Sequence, residues 1–150
     1  MTNFQRTAAW LNACGKKPNT QNLTIQTGCH LEEFAEFLDA ITIIDEGGTL
    51  NARLVVAAEL LTSVASNMKR GYCDVLISPG MRQHALDALC DMEVTGNGVA
   101  YLAGFNKDGA DQAVLASNEA KLVDGKPVIL EGGKIGKPAG WTPPDLTPFV

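Results

Sequence analysis

The chain has 150 residues, 45% of them hydrophobic and 19% charged, and this length suits a single domain over residues 1–150 with a core of useful size. Its 17 acidic residues outnumber its 12 basic ones, and the net charge of −5 gives no general attraction to a nucleic-acid backbone. No apolar run approaches about 18 residues and no signal-peptide pattern opens the chain, so we expect a cytoplasmic protein without membrane or nucleic-acid partners.

The cysteine pattern favours a reduced, intracellular protein. Four cysteines are scattered without CxxC spacing, at positions 14, 29, 73 and 90. We therefore expect reduced core thiols instead of a disulfide framework. A zinc site built from two of them with His30 and His84 is the weaker interpretation, because the spacings match no standard ligand pattern.

The first predicted helix covers residues 4–14. Apolar residues recur there at helical spacing, at Phe4, Ala8 and Leu11, and Gly15 provides a stop. A polar loop that contains a proline follows.

Two longer helices are predicted next. The first of them begins at residue 22 or 27 and ends near residue 45. Its apolar stripe consists of Leu31, Phe34, Leu38 and Ile41. The other runs from about residue 50 to residue 69 and is apolar almost all round, which is typical of a helix buried by several neighbours or by another subunit.

A fourth helix is predicted after a short connector over residues 74–78. Ser78-Pro79 is an N-terminal signal, and the helix can extend from there toward Gly104. We expect Gly96-Asn97-Gly98 to interrupt it, because each glycine costs about 1 kcal/mol relative to alanine in a helix.

The last predicted helix begins at a cap, Asp108, and ends near Leu122, before an Asp-Gly turn. Residues 126–150 are rich in glycine and proline and are expected to form an irregular arm. The predicted fold class is therefore all-α, a bundle of four to five helices with an irregular C-terminal arm.

Two acidic sets can carry chemistry. Glu32, Glu33 and Glu36 crowd into one turn of the second helix, and Asp87 and Asp91 lie one turn apart on the fourth. If the two helices face each other, their carboxylates converge into a site for a hard divalent cation, Mg²⁺ or, as an alternative, Mn²⁺. The competing interpretation is two solvated acidic faces, or pairing of Asp87 with a nearby arginine.

A basic set follows on the fifth helix. Asn118 and Lys121, three residues apart, can offer an amide and a cation to one ligand, as a triphosphate requires; an exposed polar helix end is the alternative. Lys126, Lys134 and Lys137 follow in the glycine-rich arm and either close over phosphates or serve only as surface charges. No Walker loop, GxSxG elbow or dinucleotide glycine fingerprint is present.

The order of these motifs resembles the all-α nucleoside triphosphate pyrophosphohydrolases, the group of MazG and phosphoribosyl-ATP pyrophosphohydrolase, and is most similar to small single-domain members from bacteriophages. The segments that carry the resemblance are Glu32-Glu33-x-x-Glu36, LDALCD (86–91), VTGNGVAYLAG (94–104), SNEAKLVDGKPV (117–128), GGKIGKP (132–138) and PPDL (143–146). The string SN-x-x-K-x-x-DGK is the most specific of them.

The resemblance implies a MazG-like bundle that forms a homodimer or homotetramer. It also implies Mg²⁺-dependent cleavage of a nucleoside triphosphate to the monophosphate and pyrophosphate. Glu33, Glu36 and Asp91 would hold the metal, and Glu32 would be a further ligand or the base that orients the water. On the substrate, Asn118 and Lys121 would contact phosphate, joined by Lys126 and Lys134 of the arm.

This chain departs from the family pattern at one position. The usual ExxD motif would place a glutamate at position 88, where this chain has Ala88. Asp87 lies about 40° from Asp91 around the helix and is the expected substitute, which leaves its ligand role and the number of metal ions open. The other functions considered are phosphoribosyl-ATP pyrophosphohydrolase and a non-catalytic helical oligomer that binds a nucleotide or a protein.

Overall fold

The structure, a computed structural model, describes residues 1–129 and 135–150. It divides into two compact units, one that joins residues 1–17 to residues 79–150 and one that spans residues 18–78. Helices dominate the described residues, which confirms the all-α class. The MazG-like arrangement and the single domain stay predictions.

Five α-helices lie within the described ranges. They are α1 (Asn3–Ala13), α2 (Thr20–Ala40), α3 (Thr49–Lys69), α4 (Arg82–Leu102) and α5 (Lys107–Glu119). A small antiparallel sheet follows α5, made of β1 (Leu122–Val123) and β2 (Lys126–Pro127), and 3-10 turns cover Pro79–Met81 and Thr147–Phe149. In this part of the chain no helix has both the length and the apolar character needed to cross a membrane.

The second helix is shifted relative to the prediction. It begins earlier, because the Asn19 side chain accepts a hydrogen bond from the Asn22 amide (2.7 Å) and caps it. It ends at Ala40, because the β-branched run at 41–44 favours extended backbone. Asp45, predicted inside α2, instead precedes α3 and accepts hydrogen bonds from the amides of Thr49 (3.1 Å) and Leu50 (3.4 Å) in the first turn of that helix.

The fourth and fifth helices also differ from the prediction. The expected interruption at residues 96–98 was wrong, since α4 runs through both glycines without a break. The cap of α5 is Asn106, whose side chain accepts from the Gly109 amide (3.1 Å), and Asp108 lies in the first turn. An acidic residue is favourable there because of the helix dipole.

The arm is less irregular than predicted where it begins. Asp124 and Gly125 both have positive φ, 51° and 74°, as a two-residue type I′ turn requires. The turn pairs Val123 with Lys126 and Leu122 with Pro127. Lys126 is therefore an exposed residue of a short strand.

The unit over residues 18–78 is a helical hairpin. Buried and half-buried residues recur at alternating intervals of four and three on each helix, a seam of coiled-coil type. They are Thr24, Gly28, Leu31, Ala35 and Leu38 on α2, and Leu54, Ala58, Leu61, Ala65 and Met68 on α3. Small residues at the centre let the backbones approach closely. The predicted stripe was half right, since Phe34 is 48% exposed and Ile41 lies beyond the helix.

In the other unit, α1 packs against α5 through a polar face. Arg6 forms a two-pronged ion pair with Glu119 (2.8 Å for each bond), and Asn3 bonds Asp111 and Gln112. The predicted stripe on α1 was wrong at its first two residues, since Phe4 is 81% exposed and Ala8 is exposed as well. Asn3 and Arg6 form the face toward α5 instead.

Much apolar surface is left uncovered on the long helices. Residues 82–99 of α4 are exposed apart from half-buried Ala85, and on α3 the outward residues Val56 and Leu60 are 53% and 63% exposed. The expectation of core thiols was wrong for Cys73 and Cys90, which are exposed, and correct for Cys14, which is buried.

Candidate functional site

The acidic face of α2 brings Glu32, Glu33 and Glu36 within one helical turn, as predicted. Glu32 also forms an ion pair with Lys69, the last residue of α3, so the hairpin itself orients this carboxylate. Both side chains are about a third exposed, 36% and 31% respectively. The cluster therefore sits at the surface of the hairpin and is partly neutralised on one side.

Crowding changes the chemistry of Glu33. Its surroundings partly desolvate the carboxyl, and this raises its pKa; the negative charges of Glu36 and Glu32 raise it further. Lys69 and His30 oppose the shift through their positive charge. Glu33 is an exposed residue, so the effect on stability is small. The negative charges of Glu36 and Glu32 thus act on the Glu33 carboxyl, and a bound cation would relieve that repulsion.

The second acidic pair lies on α4. Asp87 and Asp91 are one turn apart and exposed, with the exposed Ala88 between them. They belong to a different unit from α2, so the convergence of the two acidic sets stays a prediction. Within residues 1–129 and 135–150, no group of three or more His, Cys, Asp or Glu is arranged to hold a metal ion.

The basic pair lies at the end of α5, and the structure does bring its members together. The Lys121 ammonium donates a hydrogen bond of 2.8 Å to Oδ1 of Asn118. Lys121 follows the last turn of the helix, and its amide donates to the Asn118 carbonyl (3.1 Å). The side-chain amide and the cation can thus meet one ligand, as the spacing predicts.

Two tryptophans that the sequence reasoning missed flank this pair. The Lys121 ammonium lies 5.3 Å from the ring centroid of Trp141 and 6.0 Å from that of Trp10. The indole N–H of Trp141 donates to the Ser117 carbonyl (2.9 Å). Trp10 and Trp141 are the two tryptophans of the chain, but they are separated by most of its length, and no local pattern links them.

The remaining predicted lysines divide into three cases. Lys126 is exposed on β2. Lys137 lies with its ammonium 4.6 Å from the centroid of Trp141, the ring that Lys121 also contacts. Lys134 lies outside the described residues.

Comparison of the chain with family models, with curated proteins and with solved structures finds no match. We therefore infer a function from the residues of the chain and from the geometry of each unit.

Proposed function

We propose that the protein is a Mg²⁺-dependent nucleoside triphosphate pyrophosphohydrolase that releases a nucleoside monophosphate and pyrophosphate. The observation that carries the proposal is the placement of Glu32, Glu33 and Glu36 on one turn of α2, where burial and then the negative charges of Glu36 and Glu32 raise the pKa of Glu33. Carboxylate oxygens held close together are the donors that Mg²⁺ prefers, and their repulsion is relieved when a divalent cation binds.

In this proposal Glu33 and Glu36 of α2 would hold the metal, and Asp91, with Asp87 in place of the acid missing at position 88, keeps the ligand role that the family resemblance implies. Glu32, held by Lys69, orients the attacking water and accepts its proton. A bound metal would neutralise negative charge that develops on the substrate and would lower the pKa of the attacking water. The water oxygen bonds to the α-phosphorus while the α–β bridging bond breaks, and pyrophosphate leaves with the electron pair.

The basic pair supports the same substrate class. Asn118 and Lys121 present an amide and an ammonium at a fixed separation, and both can contact phosphate oxygens of the substrate. Lys126 and Lys134 of the arm add positive charge in this proposal. A triphosphate of high negative charge would otherwise be repelled by a chain of net charge −5.

The test is pyrophosphate release from a panel of NTPs, dNTPs and phosphoribosyl-ATP, with Mg²⁺ and with EDTA. Release should require Mg²⁺, and Glu36→Gln should lower kcat/KM about 100-fold or more, because residues that only support a metal ligand are already worth about 10- to 100-fold. Glu46→Gln, an exposed acid in a loop, changes net charge equally and should leave the rate unaltered. Release from none of the substrates by the wild type would reject the proposal for this panel.

The uncovered apolar surface supports a second part of the proposal, that the chain forms a homodimer or homotetramer. On α4 a stripe with alternating spacings of four and three, made of Ala85, Leu89, Met92, Gly96 and Val99, faces away from the two aspartates. Leu89 is 52% exposed and Met92 46% exposed. A second copy of the chain is the partner that we assign to it.

The same surface favours a second candidate function, a non-catalytic helical oligomer in which the carboxylates are only solvated. Under that alternative Mg²⁺ leaves the melting temperature unchanged and no nucleotide is hydrolysed. The assays of Mg²⁺-dependent stability and pyrophosphate release therefore separate the two functions.

A further inference from the structure

The corner between α4 and α5 turns on a single peptide bond. The amides of Gly104 and Phe105 bond back to the carbonyls of Tyr101 (3.1 Å) and Ala100 (3.0 Å), a Schellman motif that closes the end of α4. The next residue, Asn106, already caps α5. The two helices therefore meet at the peptide between residues 105 and 106, and the direction of α4 relative to α5 depends on how that peptide is held.

The turn over residues 147–149 holds this peptide. The amide of Asn106 donates to the carbonyl of Phe149 (2.9 Å). The Phe149 ring lies against Gly109 in the first turn of α5, where an added Cβ would come within 2.5 Å and 2.7 Å of two ring carbons and 3.0 Å of the Asn106 side-chain nitrogen. The ring thus occupies the space that any side chain at position 109 would need.

The turn is formed locally and has little other cover. Asp145 accepts a hydrogen bond from the amide of Thr147 (3.0 Å), and the amide of Phe149 donates to the carbonyl of Leu146 (3.0 Å). Leu146 and Thr147 are exposed, whereas Phe149 is half-buried. A segment with few buried contacts opens more readily than the helices it touches. Its attachment to α5 therefore depends mainly on Phe149.

We propose that the turn over residues 147–149 is a clasp that fixes α4 relative to α5, closed when Phe149 packs on the bare backbone of Gly109. Its consequence for catalysis rests on the proposed function. One of the two helices carries the aspartates proposed as metal ligands, and the other leads to the pair proposed to contact phosphate. The closed clasp holds both sets in one rigid body, and Phe149 is a positioning residue.

The first experiment measures hydrogen exchange of the Asn106 amide without substrate. Gly109→Ala should speed this exchange about 5- to 150-fold, the range that overpacking of a close contact commonly costs. In a Phe149→Ala background, where no ring is left to displace, the same change should have no further effect. Gly98→Ala, where a Cβ meets nothing within 4 Å, should leave the exchange unaltered. An unchanged rate in Gly109→Ala would overturn the inference.

The second experiment asks whether the clasp orients the helices. Residual dipolar couplings of the backbone N–H groups of α4 and α5 should fit one alignment tensor in the wild type. Phe149→Ala should require a separate tensor for each helix, while Phe149→Leu keeps apolar packing and should keep the common tensor. A common tensor that survives in Phe149→Ala would show a merely local contact and overturn the inference.

Activity distinguishes the clasp from the proposed function. Phe149→Ala should lower kcat/KM for pyrophosphate release about 10- to 100-fold, as loss of a supporting residue commonly does, and Phe149→Leu should restore most of it. Separate tensors with unchanged kcat/KM would reject the positioning role. If the wild type releases no pyrophosphate, the proposed function fails, and the exchange and dipolar couplings alone decide whether the clasp exists.

Discussion

At the scale of single residues, Glu33 offers a test for a metal site that does not depend on turnover. Its pKa is raised in the folded state above the ordinary value of about 4.3, so the folded chain binds this proton more tightly than the unfolded chain. Ionised Glu33 consequently costs stability at pH values above the raised pKa. The cost is relieved as the pH falls through that pKa and is absent below about 4.3.

Glu33→Gln should therefore stabilise the metal-free protein at pH 7, by a few tenths of a kcal/mol as for like charges on neighbouring helical turns. The gain should vanish near pH 4. Added Mg²⁺ should reverse the order, stabilising the wild type and leaving the variant unchanged, as followed by thermal unfolding. Equal responses of both proteins to Mg²⁺ would favour a solvated acidic face.

The ion pair of Arg6 and Glu119 has the opposite pH dependence. The hydrogen bonds from Arg6 lower the pKa of Glu119, so the pair stabilises the fold above about pH 4.3, and this contribution is lost as the pH falls through the lowered pKa. Glu119→Gln should lower the melting temperature at pH 7, and its difference from the wild type should shrink toward pH 3. Glu93→Gln, an exposed acid on α4, serves as the control. If the melting temperature of Glu119→Gln stays equally far below that of the wild type at pH 3, the variant has lost packing and not an ionic interaction.

At the scale of elements, the hairpin of α2 and α3 depends on the small residue at its crossing. A Cβ on Gly28 would lie 2.9 Å from the carbonyl oxygen of Ala65 and 2.9 Å from Cβ of Met68, so the helices would have to move apart. Gly28→Ala should destabilise the protein by about 1–3 kcal/mol, as overpacking commonly does.

The matched control is Gly98→Ala on α4, where a Cβ would meet nothing within 4 Å. Alanine should stabilise that helix by about 0.5–1 kcal/mol, because glycine is a poor helix former. Chemical denaturation of both variants checks the pair of predictions. Similar changes in the stability of the two variants would show that helix propensity, and not the close contact at the helix crossing, determines the effect of Gly28→Ala.

The sequence predicted where helices and turns lie better than it predicted which face of each helix is buried. The start and end of α3, the connector before α4 and the Asp-Gly turn follow from local signals, and all were found. The seam between α2 and α3 was harder to predict, because glycine, alanine and threonine occupy its buried positions. Apolar character alone would instead place Phe34 at the seam. The contact of the Lys121 ammonium with the ring of Trp141 could not be predicted, because it joins α5 to the arm and leaves no local pattern in the sequence.

At the scale of the whole molecule, the stripe on α4 leads to a prediction about assembly. Sedimentation velocity at micromolar concentration should show a dimer or tetramer. Leu89→Lys, within the stripe, should shift the assembly toward monomer, because a charge would be buried at the interface. Val94→Lys places the same charge on another face of the same helix, at a residue that is 68% exposed, and should leave the assembly intact. A wild type that sediments as a stable monomer would reject the assembly.

The discontinuous unit also sets an order of events during biosynthesis. Asn3 and Arg6 find their partners 108 and 113 residues later in the chain, whereas α2 and α3 are neighbours in sequence. At ordinary rates of about 5–20 residues per second, α1 emerges from the ribosome roughly 5 to 20 s before α5 exists. Arrest-peptide force measurements should therefore detect the hairpin first and the docking of α1 only after α5 has emerged. Of the helices in this unit, α1 is synthesised first, yet it can dock only after α5 has been synthesised.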